Sequence, residues 1–224
     1  MFTPSTTCTE MQKRADWRPA HALVLIALFG LVTTMPSLRK WPLFWVVPLA
    51  GYAVTVTATP QLRASFRLWR FGRICPSTVI ATAVIAMGSI AALVSFHFLI
   101  RPDLSGYRAL LPTFSFGGVA LFGIVFCLLN ALFEEVIFRG ILFDAIESQW
   151  NVWVTIVATA VLFSVGHMHG YPPGPIGAML AGVYALCLGW LRWFSGGIGL
   201  PIVAHIVADA TIVTLVTTST DSPV

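Results

Sequence analysis

Glu134 and Glu135 stand side by side inside a long apolar run, in the string Phe133-Glu134-Glu135-Val136-Ile137-Phe138-Arg139-Gly140. His167 occurs in a second apolar run, and His205 and Asp209 in a third. Ionised groups in membrane-like surroundings are expensive, by about 2.5–3.5 kcal/mol each on insertion scales. A chain that keeps three acids and two imidazoles there has a use for them. A glutamate tuned towards neutrality can take a proton from water and return it to a leaving amine. A neighbouring histidine can orient that water. A second histidine with an adjacent polar side chain can stabilise the oxyanion of a tetrahedral intermediate. These are the parts that peptide-bond hydrolysis needs.

The spacings assign these residues to faces. Neighbours on a helix point about 100° apart, so Glu134 and Glu135 cannot face one cavity equally. Glu135 and Arg139 are spaced i,i+4 with the acid on the favoured N-terminal side, which predicts a structural pair and leaves Glu134 to face a water. His205 and Asp209 share one helix face by the same spacing, as do Phe163 and His167. The turn between the two relevant runs centres on Trp150-Asn151, and Glu134 and His167 are equally far from it along the chain. In an antiparallel helical hairpin that puts both at one depth, roughly 24 Å from the turn. The fourth helix must then continue past the acids through Ile141-Leu142-Phe143.

The elements that position them are apolar helices. Of 224 residues, 57% are hydrophobic and 10% charged, whereas soluble domains carry about 25% charged residues; mean hydropathy is +0.85. The expectation is an all-α, polytopic transmembrane helical bundle. Apolar runs fall at 20–35, 42–59, 79–100, 116–138, 152–170, 174–191 and 197–216. They predict about seven spans, within a range of roughly six to eight. Residues 1–19 read as a polar N-terminal segment, 20–216 as the bundle with its motif-bearing core at 116–216, and 217–224 as a polar tail. Trp41 and Trp45, Trp150 and Trp153, and Trp190 and Trp193 cluster at run ends, as interfacial aromatic belts do. Pro36, Pro42, Pro60 and Pro76 mark the early connections, and Tyr171-Pro172-Pro173-Gly174-Pro175 a tight later one. Gly177 with Ala181, and Ala178 with Gly182, give the small-residue spacing that lets membrane helices approach closely.

The net charge of +4 comes from basic residues between the runs and reads as topology, not nucleic-acid binding. Lys13, Arg14, Arg18, Arg63, Arg67, Arg70, Arg73 and Arg192 fall on the N-terminal side, against Arg39, Lys40, Arg101 and Arg108 on the other. That bias predicts a cytoplasmic N-terminus. Cys8, Cys75, Cys127 and Cys187 are isolated, with neither metal nor disulfide spacing. The first run lacks a small-residue cleavage site and reads as a retained helix. His21 and His97 lie near run ends and are expected at the interface; His169, Asp144 and Glu147 are expected outside the site.

Glu134-Glu135-Val136-Ile137-Phe138-Arg139-Gly140-Ile141-Leu142 resembles the EExxFRGxL signature of the CAAX prenyl protease and bacteriocin-processing family (CPBP, also called Abi). Phe163-Ser164-Val165-Gly166-His167 resembles that family's FxxxH motif, and His205-Ile206-Val207-Ala208-Asp209 its HxxxN or HxxxD motif. The three occur in family order over residues 116–216. The resemblance implies a glutamic-type intramembrane endopeptidase. It would make Glu134 the general base and give His167 a share in holding the nucleophilic water. His205 and Asp209 would form the oxyanion side, with Glu135, Arg139 and Phe163 in support. Where many members have asparagine this chain has Asp209, which donates to an oxyanion only when protonated or bridged by His205.

Other readings stay open. Two histidines and two glutamates could ligate zinc with a position left for water, although no HExxH is present and the ligands come from three runs. No cofactor is therefore the expectation, with zinc as the lesser alternative. Intramembrane acids and histidines also build proton relays, so a proton-coupled transporter is a rival, as is an immunity protein on the same scaffold. The expected partners are the lipid bilayer and a membrane-associated, prenylated or leader-bearing protein or peptide. A bacterial plasma membrane is the expected location.

Overall fold

The computed structural model describes residues 16–66, 70–109 and 116–218. Most of the predicted polar segment 1–19 and most of the tail 217–224 lie outside the described residues. Those described form an all-α bundle with no strands. Helix α1 is Arg18–Thr33, α2 Leu43–Ala58, α3 Pro60–Ser65, α4 Pro76–Ile100 and α5 Ser105–Arg108. Helix α6 (Phe116–Glu135) passes into a π-helical stretch, Val136–Leu142, and continues as α7 (Phe143–Glu147). Helix α8 is Val152–Gly166 and ends in a 3-10 turn, His167–His169, followed by α9 (Gly174–Ser195) and α10 (Gly199–Thr218).

Among the described residues five helical segments are long and apolar enough to cross a membrane: Pro76–Ile100, Gly117–Glu147, Val152–His169, Gly174–Ser195 and Gly199–Thr218. These take up the last five of the seven predicted runs. The first two runs form α1 and α2, which are apolar but only 16 residues each. At 1.5 Å per residue such a helix spans about 24 Å, against the roughly 30 Å of a hydrocarbon core.

The order of packing follows from which faces are apolar or small. Helix α10 lies against α4, α6 and α9, and α8 packs along α9. The small residues of α9 face inward as expected: Gly177, Ala178, Ala181, Ala185 and Gly189 are buried. A Cβ on Gly189 would come 3.2 Å from Ile156, and one on Gly182 would come 3.1 Å from Ser164. Ser164 Oγ donates to Ala178 O across that contact at 2.7 Å. Helices α1 to α3 close over the π-helical stretch, with Leu25, Tyr52, Val56 and Leu62 in one cluster with Ile137, Ile141 and Leu142.

Two histidines expected at the interface are buried instead. His21 Nδ1 is 2.6 Å from Tyr52 Oη and its Nε2 is 3.0 Å from Ser65 Oγ, which ties α1, α2 and α3 together. His97 Nδ1 is 3.1 Å from Tyr171 Oη. In both cases a tyrosine from another segment supplies the partner a buried imidazole needs, and nothing in the local sequence marks that.

The strand-like segment before α4 braces the start of α10. Arg73 N donates to Ser195 O (2.8 Å), Ile198 N to Arg70 O (2.8 Å) and Gly199 N to Phe71 O (3.1 Å). Gly72 holds φ +89°, and a Cβ on Gly197 would fall onto the backbone of Gly72 and Arg70. This close approach of two backbones fixes the entry of α10, the helix that carries His205 and Asp209.

Candidate active site

Each site residue sits on the inner stripe of its helix. On α6 the buried positions are Gly123, Cys127, Asn130, Ala131, Glu134 and Glu135, while Leu121, Ile124 and Leu128 face outward. On α8 the buried stripe Thr155, Ile156, Thr159, Ala160 and Phe163 leads to His167 at the last turn. Asn151 caps the start of α8, its Oδ1 accepting from Trp153 N and Val154 N at 3.0 Å each. On α10 the stripe is Ala204, His205, Ala208 and Asp209, and its two alanines let the neighbouring helices come close.

The predicted meeting of separate helices is present. Glu134 Oε2 is 3.7 Å from His167 Nε2 and 3.7 Å from His205 Nε2. Glu134 and His205 are buried, and His167 is partly open, with 23% of its side chain exposed. His205 and Asp209 share a face, but their closest approach, Nε2 to Oδ1, is 3.8 Å, too long for a direct hydrogen bond. His167, His205 and Asp209 line a cavity of about 70 Å³, which also meets Phe163, Tyr184 of α9 and Leu93 of α4.

Glu135 faces the other way, as its spacing predicts. Arg139 Nη1 donates to Glu135 Oε1 at 2.9 Å, with both side chains essentially inaccessible. His205 Nδ1 donates to that same oxygen at 2.7 Å. The second glutamate therefore joins the arginine of its own helix to the imidazole of α10. With Nδ1 committed, His205 presents Nε2 to Glu134 and to the cavity.

Phe163 shows why a phenylalanine precedes His167 by one turn. His167 Nδ1 donates to Phe163 O at 2.8 Å, which leaves Nε2 as the acceptor nitrogen of the neutral ring. The Phe163 ring stacks on the His167 ring at 4.0 Å between centroids. The Arg139 guanidinium lies 4.8 Å from the same ring. One side chain thus sets the tilt of the imidazole and sits against the buried cation.

The π-helical stretch was not foreseen; α-helical continuation was. Phe143 N bonds to Phe138 O and Gly140 O and bypasses Arg139 O. The freed carbonyl accepts from Arg192 Nε of α9 at 3.0 Å, while Arg139 Nη2 donates to Ala185 O at 3.2 Å. This wide turn, of a kind often found at functional sites, is clamped to α9 from both directions. Arg192 was counted as a loop charge by sequence; it is buried, because the π turn offers it an acceptor.

Asn130 was missed altogether. Its Nδ2 is 3.2 Å from Glu134 Oε1 and 3.2 Å from Asp209 Oδ2. An asparagine inside an apolar run, one turn before Glu134, was the available signal. Tyr184 was also unmarked: its ring meets that of His205 edge-on at 6.0 Å, and its hydroxyl is buried with no partner among the described residues. His169 and Glu147 are exposed and outside the site, as expected, and Asp144 is half-buried away from it.

Residues 115–211 match the family model described as type II CAAX prenyl endopeptidase Rce1-like. Over that stretch the chain is similar to the CAAX prenyl protease and bacteriocin-processing family. The matched residues hold all three motifs and every helix that contributes a side chain to the cluster around Glu134. The matched family is one of peptidases, and the long apolar helices make this protein an integral membrane protein. No curated protein and no solved structure matches the chain.

Zinc is the metal such a set of acids and imidazoles would first suggest. Among the described residues no group of three or more His, Cys, Asp or Glu side chains is arranged to hold a metal ion. As placed among the described residues, the donor set does not fit a metal ion.

Proposed function

We propose that this protein is a CPBP-family, glutamate-dependent endopeptidase that hydrolyses a peptide bond at the membrane, with Glu134 as general base. One observation carries the reading. Glu134 Oε2 is buried, has no hydrogen-bond partner among the described residues, and faces two imidazole nitrogens at 3.7 Å each. Those separations are too long for direct hydrogen bonds and suit a water hydrogen-bonded to all three groups.

The chemistry follows from which atoms accept. His167 Nε2 and Glu134 Oε2 are both acceptors, so a water between them directs its two protons at them and keeps a lone pair for a carbonyl carbon. Glu134 takes one proton as the C–O bond forms and returns it to the leaving amine as the C–N bond breaks. His205, when doubly protonated, holds Glu135 through Nδ1–H and offers Nε2–H to the oxyanion. Asp209 stays beside that ring and acts on it through charge. The role of Glu135, Arg139 and Phe163 is to hold the two rings in place.

The substrate class that suits a cavity bounded by membrane helices is a membrane-associated protein, either prenylated or carrying a leader. A bacterial plasma membrane with the N-terminus in the cytoplasm is part of the same proposal, on the basic bias of the N-terminal side. The test is cleavage of two internally quenched peptides by purified protein in lipid nanodiscs. One probe ends in a farnesylated Cys-a-a-X sequence and the other is an unprenylated leader peptide. Cleavage of either by wild type, with a loss of about 100-fold or more in Glu134→Ala and full activity in chelator, is the expected result. Cleavage that survives Glu134→Ala, or is abolished by chelator and restored by zinc, overturns the glutamate mechanism.

A further inference from the structure

The side chain that joins Glu134 to Asp209 lies outside all three motifs. Asn130 is buried on the inner face of α6, one turn before Glu134. An amide nitrogen carries two N–H groups, and Asn130 Nδ2 reaches one carboxyl from α6 and one from α10, Glu134 Oε1 and Asp209 Oδ2, at 3.2 Å each. Among the described residues no other donor hydrogen-bonds either of those oxygens. A glutamate's terminal torsion is broad and two-fold, so without such a donor nothing selects which oxygen faces the imidazoles. Two carboxyl groups held together in a dry site would also turn away from each other where charge allows.

We propose that Asn130 is a positioning residue. By donating to both acids it turns Glu134 Oε2 towards His167 and His205 and keeps Asp209 beside His205. The proposal rests on the reading of Glu134 as base. It differs from a plain packing role in one respect: a packing amide only has to be satisfied, whereas a positioning amide sets the proton affinity and the aim of the acids it touches. The charged and titratable groups around the two acids it joins are Cys127 and Glu135 on its own helix, His205 on α10 and His167 of α8.

The experiment compares wild type with Asn130→Leu, Asn130→Asp and the exchange variant Asn130→Asp/Asp209→Asn, all in nanodiscs with the farnesylated quenched peptide. Asn130→Leu is expected to lower kcat about tenfold or more, with KM within about twofold, and to shift the pH profile of kcat. Asn130→Asp replaces the donor with a third carboxyl and loses more. The exchange variant returns one amide among the same acids and recovers at least about tenfold over Asn130→Asp. If Asn130→Leu keeps kcat within twofold and the wild-type pH profile, the proposal is overturned. If Asn130→Leu cannot be recovered folded, Asn130→Ser is read in its place. A second arm needs no substrate: infrared titration of the carboxyl bands, expected to move between wild type and Asn130→Leu. Wild type that cleaves no probe defeats the functional reading, and the infrared arm still decides the bridge, since unchanged carboxyl bands overturn it.

Discussion

Replacing Arg139 by methionine strips Glu135 of its only cationic partner on the same helix while filling most of the volume. Arg139 makes a 2.9 Å bond to Glu135 and a 3.2 Å bond to Ala185 O, and it lies 4.8 Å from the Phe163 ring. Breaking a buried pair by removing one partner costs about 3–5 kcal/mol, mostly because the surviving charge is left uncompensated. The lost bond to Ala185 O adds about 1 kcal/mol, and the guanidinium–ring contact roughly another 1 kcal/mol. These losses overlap, so a destabilisation of about 3–5 kcal/mol is the expectation for Arg139→Met. The double variant Glu135→Gln/Arg139→Met removes both charges, and glutamine still offers an oxygen to His205 Nδ1. It is expected to recover at least half of that loss. Equilibrium unfolding in mixed micelles, followed by tryptophan fluorescence, measures both. If the single variant costs less than about 1 kcal/mol, or if the double variant is no better than the single, then Glu135 is not held as a paired carboxylate and the account of how His205 is oriented fails.

Three further outcomes are expected. Phe163→Leu removes the ring stacked on His167 while keeping the carbonyl that takes its Nδ1–H; kcat on the quenched peptide should fall by about tenfold, and an unchanged kcat would show that the stack does not orient the imidazole. Gly197→Ala puts a methyl group into the backbone of Gly72 and Arg70, an overpacking worth about 1–3 kcal/mol. A thermal midpoint equal to wild type would mean that the two segments do not meet as described. Cys75 is exposed just before α4, and hydrogen bonds from Ser77 and Thr78 pull its thiol down to about 7. In a Cys8→Ser background its alkylation rate should rise about tenfold from pH 6 to pH 8 and then level off, since the thiolate is the nucleophile and is nearly complete by then. A rate still climbing steeply above pH 8.5 would mean an ordinary thiol.

Much of the site was legible because helical spacing is a strong constraint in a membrane chain. The pairing of Glu135 with Arg139 followed from their separation on one helix, and the nearness of Glu134 to His167 followed from equal distances to the turn at Asn151. The small-residue stripe of α9 likewise announced a close helix contact. Each of these depends only on the rise and pitch of a helix and on the cost of charge in an apolar medium. Residues whose meaning lies in a partner far along the chain were not legible. His21 and His97 looked interfacial because their tyrosine partners, Tyr52 and Tyr171, come from other segments.

What the sequence determined by itself is the class of molecule and the identity of the reactive groups. An apolar chain has to satisfy its backbone within helices, and the few ionisable residues it retains stand out against that background. The tertiary structure decided how those groups divide the work. The choice of a π turn after Glu135 frees Arg139 O for Arg192 and locks the stretch to α9. The crossing of α6 and α10 lets one amide, Asn130, reach two acids at once. Both are matters of register between helices, set by how side chains interlock in three dimensions, and a linear periodicity carries no record of them.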